Sequence, residues 1–439
     1  MNTVNMANVA KDFSQTGGLA GVALRVYKRA VPYRYRIMLW SWRQRHAKEQ
    51  AENRIAADPA QMARYARELA EVLASHPERK GVILFAPSAN WTTPLFQRPH
   101  QMAIALAEMG YLTLYGVFID SPDEVETFRE IRPNLVLCRA PAQAYRGLDE
   151  AVTVSYAHNY PWVKRAHSKR IIYELIDKFE IWSDFPIQLL RSYHRELLSR
   201  AIVVAGTATD LMAELKPRRP DALLCPNAVD YAHFAPDSQD SVDIPDDLRA
   251  LVARGKPIIG YYGALAEWFD YDLWARTAQA LPEYEFVLIG PEYDLELAKT
   301  AIHGVENIHW LDARPYAALP AYLRCFTVAT IPFVVNDAIN AVSPLKLFEY
   351  MAGGKPIVTS DLVECRKYPV VLTAATPVEW VTRLREAVAL SHDSAYLERL
   401  DATARENTWQ ARARLLTAAL NTRERLDDAA PRAPVGDTR

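Results

Sequence analysis

The chain has 439 residues, half of them apolar, a tenth aromatic and about a quarter charged, the make-up of an ordinary globular protein long enough for two or three domains. A formal charge of −2 gives no general attraction to nucleic acid. Four scattered cysteines without a CxxC pair argue against a zinc site or a disulfide framework and fit a reducing cytoplasm.

The charge is segregated, with nine Lys/Arg against two Asp/Glu in the first fifty residues. From Arg25 to Lys48, basic residues alternate with Val, Tyr, Ile, Leu and Trp. That composition suits an anionic membrane face, so a peripheral contact through residues 20–48 is one expectation. A basic helix packed on the rest of the protein, its charges solvated, is the other. The longest uncharged run, Ile37 to Trp42, is too short to cross a bilayer, and the arginines break any signal-peptide pattern.

Residues 59–77 read as a charged helix ended by Pro77. After Lys80 the pattern changes to a short apolar run, VILFAP, followed by a polar loop, an amphipathic stretch and the next apolar run, YLTLYGVFI. Strand, loop, helix, strand is the repeat of a parallel sheet covered on both faces. Further strands are expected at 134–138, 151–156, 170–176, 201–205 and 222–225. Residues 237–256 lose their apolar runs to Asp, Ser and Pro, as a linker does. The alternation then resumes with PIIGYYG, EFVLIGP, NIHWLD, TVATIPF and KPIVTSD.

The expected fold is thus α/β, two doubly wound Rossmann-like domains facing a central cleft, with an N-terminal helical extension. The extension covers 1–78, the N-terminal (acceptor) domain 79–236, the linker 237–256 and the C-terminal domain 257–405. A C-terminal helix, 406–426, is free to return to the N-terminal domain, and the small polar tail 427–439 reads as disordered. Ligands of open α/β sheets sit beyond the carboxyl ends of the strands, so the loops there are where function is sought.

The most informative stretch is Ser343 to Ser360, SPLKLFEYMAGGKPIVTS. Ser343 suits an N-cap and Pro344 a first helical turn, so the N–H groups from Leu345 on are placed to meet an anion, with the Lys346 charge nearby. Glu349, farther in, suits two hydroxyls, as of a ribose.

These residues resemble the nucleotide-sugar motif of the retaining GT-B glycosyltransferases of family four, especially the branch acting on bacterial surface polysaccharides. CPNAVDYAHF is similar to the element that closes that family's N-terminal domain, with Ala228 in place of a glycine. FQRPHQMAIALAEMGYLTLYG, VLIGP and NIHWLDARPYAALPAYL match other elements in order, over roughly residues 80–410. The resemblance implies a transferase that moves a sugar from a nucleotide-diphosphate sugar to a cell-surface glycan or lipid-linked acceptor, without metal or other cofactor. It also implies a retaining mechanism, with the diphosphate leaving on the face where the acceptor arrives.

The chain departs from the pattern at two places. The family's first glutamate is Ala341 here, with Asn336, Asp337 and Asn340 nearby as replacements. The usual Arg and Lys after the second domain's first strand are absent from GYYGALAEWFD. Diphosphate charge then falls to backbone N–H groups after Gly263 and at Ser343, to Lys346 and to Arg314. Asp177 or His158 occupies the mid-domain position near the donor sugar, although each also reads as an ordinary loop residue or helix cap. Trp91, Arg98 and His100 are expected on the acceptor side, with loop closure as the plainer reading of Trp91. The competing functions are a catalytically silent GT-B module that binds nucleotide or glycan and, less well matched, a nucleotide-sugar epimerase.

Overall fold

The computed structural model describes residues 33–93, 95–181, 185–235, 244–292 and 300–429. Two helices, Tyr33–Ala56 and Pro59–Ala74, precede the first sheet. Asp58 caps the second of them, accepting from the Ala60 and Gln61 N–H groups, which stabilises its first turn.

The N-terminal sheet has eight strands: β1 (Val82–Phe85), β2 (Leu112–Gly116), β3 (Phe128–Arg132), β4 (Leu135–Cys138), β5 (Val152–Ser155), β6 (Arg170–Leu175), β7 (Val203–Gly206) and β8 (Leu223–Leu224). Their order is β3-β4-β2-β1-β5-β6-β7-β8, parallel throughout except for β3. Central strands such as VILF are buried at every position, as helices on both faces require, whereas the edge strand FREIR is half-exposed. That exposure is why the periodicity did not disclose β3.

The second sheet has six parallel strands: β9 (Ile258–Tyr262), β10 (Glu285–Ile289), β11 (Ile308–Trp310), β12 (Val328–Ile331), β13 (Ile357–Ser360) and β14 (Val371–Ala374), in the order β11-β10-β9-β12-β13-β14. Each sheet reverses its winding once, between β1 and β5 and between β9 and β12. The loops after those strands open the two crevices where α/β sheets bind ligands.

Residues 246–252, expected as linker, form the helix Asp246–Val252, whose Leu248 and Leu251 are buried in the second core. The acidic first turn suits a helix N-terminus, and the i, i+3 spacing of the leucines supplies its apolar face. Residues 237–243 of that expected linker lie outside the described residues, as do 1–32 of the extension. The C-terminal helix runs Trp409–Ala429 and crosses back to the N-terminal unit. There Trp409, Ala413, Leu416 and Leu420 join Met102 and Leu106 in one core, and Gln410 donates to Glu108 at 2.8 Å. The expected tail lies, from 430 on, outside the described residues.

Candidate active site between the two sheets

The helix Leu345–Ala352 begins where the second sheet meets the first. Its N-cap is Pro344, in extended backbone and without a capping side chain. Ser343, expected to cap, turns to the other unit instead: its hydroxyl accepts the Asn227 N–H at 3.1 Å, and its carbonyl accepts from the Asn227 side chain at 2.7 Å. Ser343 therefore ties the two units together. Leu345 packs against the N-terminal core from the same side.

Lys346 is half-buried, and its ammonium lies 5.6 Å from the Tyr261 ring centroid and 5.9 Å from that of Phe333. It can lie there because Gly263 has no side chain. A Cβ on Gly263 would stand 1.9 Å from Lys346 Cε, and the residue holds φ +140. Gly290, at φ +153, in turn admits the Gly263 carbonyl, which would be 1.8 Å from a Cβ there. The two glycines end β9 and β10 and shape a cradle for the lysine. Burial pulls the Lys346 ammonium below the usual lysine range, opposed by the charge of Glu349.

Glu349 is only 2% exposed. Burial pushes its carboxyl above the usual carboxylate range, while the Tyr262 hydroxyl and the Lys346 charge pull it back. Tyr316, whose phenol is raised by burial and further by the same charge, accepts a hydrogen bond from Gln101 of the N-terminal unit at 2.7 Å. It stacks on His233, ring centroids 4.6 Å apart, and lies 5.1 Å from Phe96. The carboxylate expected to face a ribose is thus closed in by its neighbours in this conformation.

On the opposite side, β5 and β6 deliver His158 and Asp177 into one small pocket, with Tyr156, Glu174 and Phe179 among its walls. Burial lifts the Asp177 carboxyl to about 7. Burial also drives the His158 imidazole well below its ordinary range, so it is neutral near pH 7. Its ring stacks on Tyr156 at 5.6 Å. The next residue, Lys178, donates to the Asp337 carbonyl of the second unit at 2.8 Å, which sets this pocket at the seam. A neutral imidazole beside a carboxyl that titrates near neutrality can receive and direct a hydroxyl proton.

Other expected residues are engaged elsewhere. Arg98 is not open to a phosphate: it is buried against Glu174 at 2.5 Å and donates to the Pro226 carbonyl at 3.1 Å. It also donates to Asn227 Oδ1 and Cys225 Sγ, both at 3.3 Å. His100 is fully buried, held by the Asn90 carbonyl at 2.9 Å and the Gln97 N–H at 3.2 Å, and its imidazole is pulled down to about 4 by burial. It orders the loop after β1 rather than an acceptor. Trp91 packs its ring among Phe96, His100 and Tyr115, as loop closure implies.

Arg314 spends its guanidinium on Asp247, at 2.5 Å and 3.2 Å, and on the Tyr322 hydroxyl at 2.8 Å, so the helix within the expected linker takes the charge assigned to a diphosphate. Asn340 accepts from the Val363 N–H at 3.4 Å, and Asn336 caps Ala338 and Ile339. Sequence reasoning missed Gly290, Tyr316, Asn227 and Glu174. Gly290, Tyr316 and Asn227 lie within the matched elements VLIGP, NIHWLDARPYAALPAYL and CPNAVDYAHF, and Glu174 stands out as an acid within the largely apolar strand RIIYEL.

Residues 256–388 match the family model described as "Glycosyl transferases group 1". This stretch is therefore similar to a group 1 glycosyltransferase domain. The chain is 23% identical over 371 residues to TuaH of Bacillus subtilis (strain 168), a candidate teichuronic acid biosynthesis glycosyltransferase, covering 79% of this chain and 90% of TuaH. Its fold is similar to that of sucrose-phosphate synthase from Thermosynechococcus elongatus, TM-score 0.58 at 14% identity, over 80% of this chain and all of that one. It is also similar to HepE of Anabaena in complex with UDP, TM-score 0.55 at 16% identity, over 78% of this chain and all of HepE. The fold is GT-B-like: two sheets, parallel but for β3, with a cleft between them, and the helix Leu345–Ala352 lies at that cleft. Among the described residues no helix is long and apolar enough to cross a membrane, and no His, Cys, Asp and Glu side chains gather as a metal site.

Proposed function

We propose that the protein is a retaining glycosyltransferase of the family-four kind, which moves a sugar from a nucleotide-diphosphate sugar to a glycan or lipid-linked acceptor of the cell surface, in the cytoplasm. The observation that carries this reading is the cradle of Gly263 and Gly290, which holds Lys346 at the cleft end of the helix Leu345–Ala352. A cation placed there, with the N–H groups of the helix start, meets the charge that grows on a departing diphosphate.

Glu349 receives the ribose hydroxyls once Tyr316 moves aside. His158 and Asp177 position the acceptor hydroxyl, and the departing phosphate takes its proton, so no protein nucleophile is needed. No metal is required in this scheme, because Lys346 and the helix start supply the positive charge. The similarity to TuaH supports a surface polysaccharide as the product. Titration calorimetry with UDP and GDP sugars tests the reading: one of them binds, and Lys346→Met weakens it at least tenfold. Equal affinity in the variant refutes it.

A second reading, a silent module that binds nucleotide without turnover, draws on Ala341 and on the closed-in Glu349. Turnover of a radiolabelled nucleotide sugar by the purified protein decides against it.

A further inference from the structure

From Ser41 to Glu52, the basic helix Tyr33–Ala56 runs past the carboxyl ends of β1, β2 and β5. A cavity of about 700 Å³ lies between the helix and those strand ends, a size typical of small-ligand sites. Ion pairs hold the helix in place: Arg165 reaches Glu49 at 3.0 Å and Glu52 at 2.9 Å, and Lys48 reaches Asp120 at 3.1 Å. Two cations of the helix also cover aromatic rings, Arg45 over Phe185 at 3.8 Å and Lys48 over Phe118 at 4.2 Å. The helix's Arg45, Lys48, Glu49 and Glu52 are therefore engaged within the protein.

The cavity combines aromatic faces, from Trp42 and Tyr193, with the amide of Asn90 and the hydroxyl of Thr92. Trp42 is 54% exposed and stacks flat on His46, centroids 5.3 Å apart and planes 6° apart, so a broad ring stands at the cavity wall. Its cations Arg45, Lys48 and Arg165 are matched in number by Glu49, Glu52 and Asp120. Flat rings with neutral hydrogen-bonding groups and balanced charge suit an uncharged sugar better than a polyanion. His158 lines this cavity as well as the small pocket that holds Asp177, so the two spaces share a wall at the seam.

We infer that the N-terminal helix builds an acceptor subsite, in which an uncharged sugar unit of the growing glycan stacks on Trp42 and presents its hydroxyl end towards His158. This rests on the transferase reading and gives its acceptor a place and a chemical class. It also assigns the basic, aromatic segment to glycan rather than to lipid.

The test uses the full chain on an array of neutral bacterial-surface oligosaccharides, with UDP and GDP titrations in parallel. Wild type binds at least one neutral glycan. Trp42→Ala, which removes the stacking face, and Thr92→Trp, which fills the cavity from the opposite wall, each weaken that binding tenfold or more and leave nucleotide affinity unchanged. Glycan binding that survives both substitutions, or no binding to any neutral glycan, overturns the inference. Co-sedimentation with phosphatidylglycerol vesicles that disappears in Trp42→Ala overturns it in favour of a lipid surface. Absence of nucleotide binding in the wild type refutes the transferase reading and leaves the glycan result to be judged alone.

Discussion

Gly263→Ala tests whether Lys346 acts from its cradle. The new methyl would stand 1.9 Å from Lys346 Cε and 2.5 Å from Nζ, far inside contact distance, and φ of +140 is strained for alanine. Because the clashing atoms are the far end of a flexible chain, the lysine yields before the strands do. The stability cost is then about 1–3 kcal/mol from strain and overpacking. A charge-assisted hydrogen bond to diphosphate is worth about 1.5–3 kcal/mol, so donor affinity should fall roughly 10- to 150-fold. Calorimetric titration with the cognate nucleotide measures this, and urea denaturation separates it from unfolding. Lys346→Met should cost a similar amount, and the double variant no more than either alone, since both remove the same interaction. Additive losses, or unchanged affinity in Gly263→Ala, refute the cradle.

Arg98→Met should destabilise the protein by about 3–5 kcal/mol, because Glu174 is left buried without its partner; Arg98→Met with Glu174→Leu should recover much of that. Urea denaturation reads both, and a loss below about 1 kcal/mol contradicts the assignment of Arg98 to structure. Asp177 gives a pH dependence of a definite sign. Its carboxyl keeps a proton up to about 7 in the folded protein but releases it near 3.8 when unfolded, so the native state binds more protons between those values and stability falls as pH rises through them. Asp177→Asn should flatten that fall, which after discounting for partial exposure amounts to ~1–3 kcal/mol; unfolding midpoints from pH 4 to 8 that match wild type rule out the raised carboxyl. Gln101→Ala removes the hydrogen bond that holds Tyr316 across the cleft, and stopped-flow nucleotide association should speed up several-fold if Tyr316 controls access to Glu349. An unchanged rate rejects that role.

The sequence by itself determined the alternation of apolar runs and amphipathic stretches, hence two parallel sheets, and the helix after Ser343 with its lysine and glutamate. Those features are local: the apolar runs VILF and EFVLI and the segment PLKLFEYMAGG carry their own periodicity and breakers. It also placed His158 and Asp177 at neighbouring strand ends, because residues that follow parallel strands share one edge of the sheet. The tertiary structure alone decided which charged and polar groups remain free for a ligand. Arg98, Arg314 and Ser343 all had suitable chemistry at suitable strand ends or loops, yet each is bound by a partner distant in the chain, Glu174 at 76 positions, Asp247 at 67 and Asn227 at 116, while His100 is held within its own loop by Asn90. A guanidinium looks the same in sequence whether it meets a phosphate or a buried carboxylate. Long-range packing supplies the competitor, and desolvation makes the pairing obligatory once both groups are buried. The N-terminal helix likewise pairs Glu49 and Glu52 with Arg165, and Lys48 with Asp120, long-range contacts that its composition did not disclose.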